Sequence, residues 1–225
     1  MTRATFRTLV LNMASGFGEN YILNTQDTLL NSLIDERLKL YTKETACLYD
    51  DKIAFTLTAS TDAYSLRNTS AFAKEMWRVE RVYIDGSPIA QADVSTVPLL
   101  EPSYITADTS KPAFWWTQPP HDLVLFPVPD VVYSNNYVSG WYLHPDLASD
   151  STSLTLPVEH QRTAARFTAL ALVEPGKLTG EALNVYRNME ELCRKEMDKA
   201  RIDASRLHSS FNRRRSTIRR AVGLS

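Results

Sequence analysis

The sequence predicts an α+β protein in which helices from both chain ends build one helical bundle around a central β-rich insertion, with an extended C-terminal tail. Three observations predict it. Apolar residues recur at helical spacing before residue 50 and again after residue 154. Between those stretches the pattern changes to short alternating runs, and most of the eleven prolines fall between Pro88 and Pro145. After Ser209 the helical stripe fails and arginine dominates. The expected parts are residues 1–50 (N-terminal bundle helices), 51–153 (β-rich insertion), 154–208 (C-terminal bundle helices) and 209–225 (extended basic tail).

The first helix is expected over residues 5–14, where Phe6, Leu9, Val10 and Met13 share a face, and Gly16 and Gly18 stop it. A stronger amphipathic pattern covers residues 25–47. Leu30, Leu33, Ile34, Leu38 and Tyr41 form its stripe, with Asp35, Glu36, Arg37 and Lys39 mostly off it. Thr25 can cap this helix, and Asp27 suits the positive end of its dipole.

In the middle, Ile53, Phe55 and Leu57 alternate with small polar residues, as in a half-buried strand. A second strand is expected over Met76 to Ile84, followed by Asp85-Gly86, a strong hairpin signal. Three more short strands are expected over 113–117, 123–126 and 137–143, punctuated by Pro119-Pro120, Pro127, Pro129 and Asn135-Asn136. Trp115, Trp116 and Trp141 demand a core there.

Helical pattern returns with Pro157 at a helix start and Ala164, Phe167, Leu170 and Ala171 on one side of residues 158–173. Glu174-Pro175-Gly176 ends it, and Thr179 can cap the last helix. That helix carries Leu183, Tyr186, Met189, Cys193, Met197, Ala200, Ala204 and Leu207 at steps of three and four. The two helical pairs can close into one four-helix core.

Charge is unevenly spread. From Arg201 to Arg220 there are seven arginines against Asp203 alone, a net +6 that leaves the remaining chain at −7 for a total of −1. Exposed arginines can neutralise DNA phosphates or pair with carboxylates of a protein partner. Phe211, Ile218, Val222 and Leu224 interleave the charges, which favours a protein surface.

Signals for chemistry are weak. Cys47 and Cys193 sit on predicted helices, where lone cysteines are ordinarily small buried hydrophobes. His121, His144, His160 and His208 match no metal spacing, so no metal or other cofactor is expected. His121 and His144 read as polar turn residues at strand edges. His160, in a first helical turn, is poorly placed to hold a proton. Neighbouring acids such as Asp50-Asp51 and Glu190-Glu191 diverge on their elements, and only Glu19 with Asp27 comes near a glycosidase-like pair. Gly16-Phe17-Gly18 follows no strand and lacks a third glycine, which fails the dinucleotide-loop pattern. No apolar run approaches the roughly 20 residues of a membrane span, and no signal-peptide core is present, so synthesis in the cytoplasm is expected.

The order of parts resembles a known family. Leu123-Val-Leu-Phe-Pro-Val-Pro-Asp130, then Tyr133, Tyr137, Trp141-Tyr142 and Leu154-Thr-Leu-Pro157, lead into the Ala-rich stretch Arg162 to Val173. The terminal helix follows with Glu181, Ala182, Tyr186 and the Glu191–Arg194 region. Tyr64-Ser-Leu66 and the stretch Trp77 to Gly86 add to the likeness. Over roughly residues 25 to 205 the chain resembles the head-to-tail adaptor (head completion, connector) proteins of short-tailed phages. It departs from them at Arg67 and Asn68, where the family often has a proline turn.

The resemblance implies a non-enzymatic virion protein at the head–tail interface, in a ring commonly of twelve subunits beneath the portal. Its partners would be the portal protein, a tail or nozzle protein and copies of itself, with genomic DNA passing through the lumen unread. It gives the C-terminal extension the task of gripping the portal. The residues for that task are Arg206, Phe211, Arg213, Arg214, Arg215, Ile218, Arg219 and Arg220. Three other readings compete. The basic tail could bind nucleic acid, the chain could be a different tail or minor head protein, or two acids could form a muramidase-like site.

Overall fold

A computed structural model describes residues 1–18, 27–67, 69–93, 95, 109–119 and 121–221, with residues 207–221 described as helix backbone alone. The chain divides into two units, one of Met1–Cys47 with His144–Ser225 and one of Leu48–Leu143.

In the first unit, α1 (Arg3–Ser15) buries Phe6, Val10 and Ala14, one residue per turn. Thr2 caps it, its Oγ1 accepting the Thr5 N–H at 3.4 Å. In α2 (Asp27–Thr45) the buried face is Leu30, Ile34, Leu38 and Tyr41, and Asp27 lies in the first turn. The expected cap Thr25 lies outside the described residues. Helix α3 (Val158–Ala171) follows Pro157, whose extended backbone (φ −53°, ψ 148°) places it at the cap rather than inside the helix. Its buried face is small: Ala164, Ala165, Thr168 and Ala169. Small side chains let neighbours approach closely, and α3 packs against α1, α2 and the last helix. That helix, α4 (Gly180–Ala221), begins after a 3-10 turn at Pro175–Lys177. Phe17, Val173 and Leu178 form a satellite cluster against its start, including Leu183, Tyr186 and Met189.

The second unit is a seven-stranded curled sheet. Its strands are β1 (Tyr49–Ala54), β2 (Ala63–Ser65), β3 (Met76–Ile84), β4 (Ser87–Gln91), β5 (Phe114–Gln118), β6 (Asp122–Phe126) and β7 (Tyr137–Tyr142). They lie in the order β1-β7-β3-β4-β5-β6-β2. All neighbours are antiparallel except β4 and β5. The β3–β4 hairpin turns at Asp85 (φ 55°) and Gly86 (φ 75°), the double positive φ that makes Asp-Gly a good two-residue turn. Buried Ile53, Phe55, Phe72, Met76, Val82, Ile84, Trp115, Leu123 and Leu125 give this unit its own core.

The expected class, a helical bundle carrying a β insertion, is therefore corrected. The chain is a mixed helix-and-sheet protein with more strand than that reading allowed, and the sheet is a unit in its own right. Two strands escaped the sequence reading. Strand β2 has three residues, and β4 contains Pro88 and mostly exposed side chains, so neither shows a clean period of two. Yet β4 is the link: it pairs with β3 on one side and with β5 on the other. Without it, five runs look like separate hairpins; with it they join into one sheet.

The extended tail is corrected too. The backbone of α4 stays helical through Ala221, so residues 209–221 continue the preceding helix. The sequence from Ser209 to Ala221 holds no glycine or proline, and arginine and alanine are good helix formers.

Candidate functional site

The C-terminal part of α4 carries the chain's strongest electrostatic feature. The 42-residue helix is about 63 Å long at 1.5 Å per residue. Cys193 and Met197 are its last buried side chains among the described residues, while Ala200 and Ala204 are half-buried. Arg201 Nε donates to the Glu44 carbonyl at the end of α2 at 3.0 Å. From residue 198 to Ala221 the helix runs on for about 36 Å.

Of the expected portal-binding residues, Arg206 is described to its side chain. It is 78% exposed and sits 3.8 Å from Asp203, one turn back. A surface pair of that kind is worth little. For Phe211, Arg213, Arg214, Arg215, Ile218, Arg219 and Arg220 the structure describes the helix backbone, and their side chains lie outside the described residues. Along that backbone, positions 206, 213 and 220 recur at seven-residue steps, while 213–215 step round the axis by about 100° each. The final residues Val222 and Leu224 also lie outside the described part.

Two concavities mark the helical unit. One, of about 360 Å³, has Phe167, Leu170, Cys193 and Met197 in its lining, with the Arg37 guanidinium 5.4 Å above the Phe167 ring. Charges of both signs surround it, including Glu190, Arg194 and Asp198. The other, of about 390 Å³, brings together Tyr41, Cys47, His160, Glu196 and Lys199. It has the residue types of a reactive site. Burial pushes the Cys47 thiol up to about 11, so at neutral pH it holds its proton and is no nucleophile. His160 Nδ1 lies 3.0 Å from the Tyr41 hydroxyl, and burial pushes its pKa down. That direction is the one expected for a histidine in a first helical turn, and burial is its largest cause. Glu196 is engaged by Arg166 and Thr163 at 2.5 and 2.8 Å.

The remaining candidates serve structure. His121 Nε2 accepts from Arg67 Nη2 at 2.8 Å, and Asp50 pairs with Lys74 at 2.6 Å. Cys193 is buried on α4, whereas Cys47 lies half-buried two residues past α2 rather than inside it. His208 and Glu19 lie outside the described side chains. Among the described residues no three acidic, histidine or cysteine side chains are grouped to hold a metal, and no helix is long and apolar enough to cross a membrane. His144 is the residue whose place the sequence concealed: it is 1% exposed and bonded through both ring nitrogens, far from a solvent-facing turn. Nothing in its neighbourhood beyond Pro145 signals this.

No protein-family model matches the chain, and no curated protein is significantly similar to it.

Proposed function

We propose that this chain is a structural subunit of the head-to-tail adaptor class, which assembles with its own copies into a ring and grips a portal protein through the basic end of α4. The observation that carries this reading is the disproportion within α4. Among the described side chains its packing on the chain's own helices fades from buried Met197 to half-buried Ala204, and the helix backbone then continues to Ala221 with six arginines and no acid after Asp203. A helix that outlasts its own unit's core presents a preformed rod. Ordering cost on binding is lower for such a rod than for a coil. Arginine suits the task because its planar fork pairs with carboxylates in two-bond geometry.

The test is co-sedimentation of the full chain with purified portal, beside a variant in which Arg213, Arg214, Arg215, Arg219 and Arg220 are all replaced by glutamine. Full-length chain should travel with the portal, and the variant should remain in the supernatant. Equal binding by both would remove the basic end from the reading. Retardation of free duplex DNA by the full chain, with binding that falls steeply as salt rises, would favour the nucleic-acid alternative instead.

A further inference from the structure

Between the sheet and α3 the chain runs through His144–Leu156, a segment without regular structure that lies in the helical unit. It anchors Leu147, Leu154 and Leu156 in the core and fastens the start of α1. The N–H groups of Arg3 and Ala4 opening α1 have no partner within the helix, and the segment supplies them: Arg3 N–H donates to the Thr152 carbonyl at 2.9 Å and Ala4 N–H to the Asp150 carbonyl at 3.1 Å. In return Leu154 N–H donates to the Met1 carbonyl at 2.9 Å. Arg3 and Arg7 add ion pairs to Asp150 at 3.1 and 3.2 Å.

Two acid-titrating acceptors hold this segment in shape. His144 closes it on itself. Its Nδ1 is 2.7 Å from the Pro145 carbonyl, which can only accept, so Nδ1 carries the proton; Nε2 accepts the Thr155 N–H at 3.1 Å. One neutral ring thus joins residues eleven apart. The second acceptor is Asp35 of α2, whose Oδ1 takes the Leu147 N–H at 3.2 Å.

We infer that His144–Leu156 is an acid-released latch on the N-terminal helix: protonating His144 undoes it and uncaps α1. A proton on His144 Nε2 turns an acceptor into a donor facing the Thr155 N–H, and it places a charge in a buried site. Asp35 does not drive release: burial makes it hold a proton more readily in the closed segment than in water, so acid leaves its side of the contact closed. Burial moves the two groups towards each other in pH, pushing His144 below its ordinary value near 6.5 and Asp35 above its ordinary value near 3.8. The charged groups facing them are Asp146 of the segment, which resists loss of charge on His144 and raises Asp35, Lys39 of α2, which acts oppositely on both, and Arg3 of α1, which lowers Asp35. Lys39 and Asp146 are themselves paired at 3.0 Å. The His144 fastener therefore holds through neutral pH and opens only as pH falls below the ordinary histidine value. This inference stands apart from the adaptor reading and needs no partner.

The experiment is amide hydrogen exchange by NMR on the full chain from pH 7 to pH 4, expressed as protection factors so that the intrinsic pH dependence drops out. Protection at Arg3, Ala4, Leu154 and Thr155 should fall at least tenfold, while Thr168 and Ala169 inside α3 keep theirs. His144→Gln, whose amide oxygen can accept at every pH, should retain protection of Thr155 at the acid end. In the unaltered chain the ring nitrogen shifts of His144 should show the Nδ1–H tautomer at pH 7 and titrate with the loss of Thr155 protection. Flat protection at the four amides, or simultaneous loss throughout the unit, would overturn the latch, as would a His144 ring that titrates without any effect on Thr155.

Discussion

Arg166 of α3 and Glu196 of α4 face each other at 2.5 Å, and Thr163, one turn before Arg166, holds the other carboxylate oxygen at 2.8 Å. Burial alone would raise the Glu196 pKa, but the hydrogen bonds from Arg166 and Thr163 outweigh it and hold the acid below its ordinary 4.5. A depressed acid adds stability above its unfolded pKa and loses it as pH falls through the folded value. Glu196→Gln should cost about 1–2 kcal/mol at pH 7, discounted because the carboxylate is a third exposed. The gap from the unaltered chain should narrow as pH falls below the ordinary glutamate value of 4.5 in urea titrations. An unchanged gap across that range would mean that the pair contributes through shape alone.

Gly140 in β7 is where the sheet tolerates no side chain. A Cβ there would stand 2.2 Å from the Arg78 carbonyl oxygen and 2.9 Å from Met76 Cε, so β3 itself would have to move. Gly140→Ala should destabilise by about 3 kcal/mol, at the upper end of overpacking costs. Gly176→Ala, with nothing within 4 Å, is the control and should leave the melting temperature within error.

Phe72 is fully buried and stacks on Phe55 with centroids 4.9 Å apart and planes 10° from parallel. Phe72→Ala should cost about 3–5 kcal/mol in thermal or chemical unfolding. A cost below about 1 kcal/mol would show that the sheet core does not depend on this contact.

Ending the chain after Arg206 removes backbone that begins ten positions past Met197, the last buried residue of α4 among the described side chains. Its midpoint in urea should match that of the full chain. A lower midpoint would show that residues 207–225 pack on their own subunit, which the docking role of α4 does not allow.

The helices were readable because their burial follows their period: of the α2 stripe Leu30, Leu33, Ile34, Leu38 and Tyr41, all but half-buried Leu33 lie on the buried face. Strand β3 and its Asp85-Gly86 turn were readable for the same reason, local pattern and local chemistry agreeing. The sheet as a whole was not, because its continuity depends on β4 pairing in parallel with β5, a long-range contact that leaves no mark on residues 87–91. The fate of the basic end was misjudged because an amphipathic stripe reports packing, whereas α4 continues as helix past it. His144 eluded the sequence reading because its two bonds run to backbone groups, and backbone partners have no sequence signature.

The portal-docking role of α4 is tested most directly by negative-stain imaging of the full chain mixed with purified portal. The account predicts rings of this protein seated on one end of the portal, and bare portals when the five arginines from Arg213 to Arg220 are replaced by glutamine. Bare portals with the unaltered chain, under conditions where it coats free DNA, would contradict it.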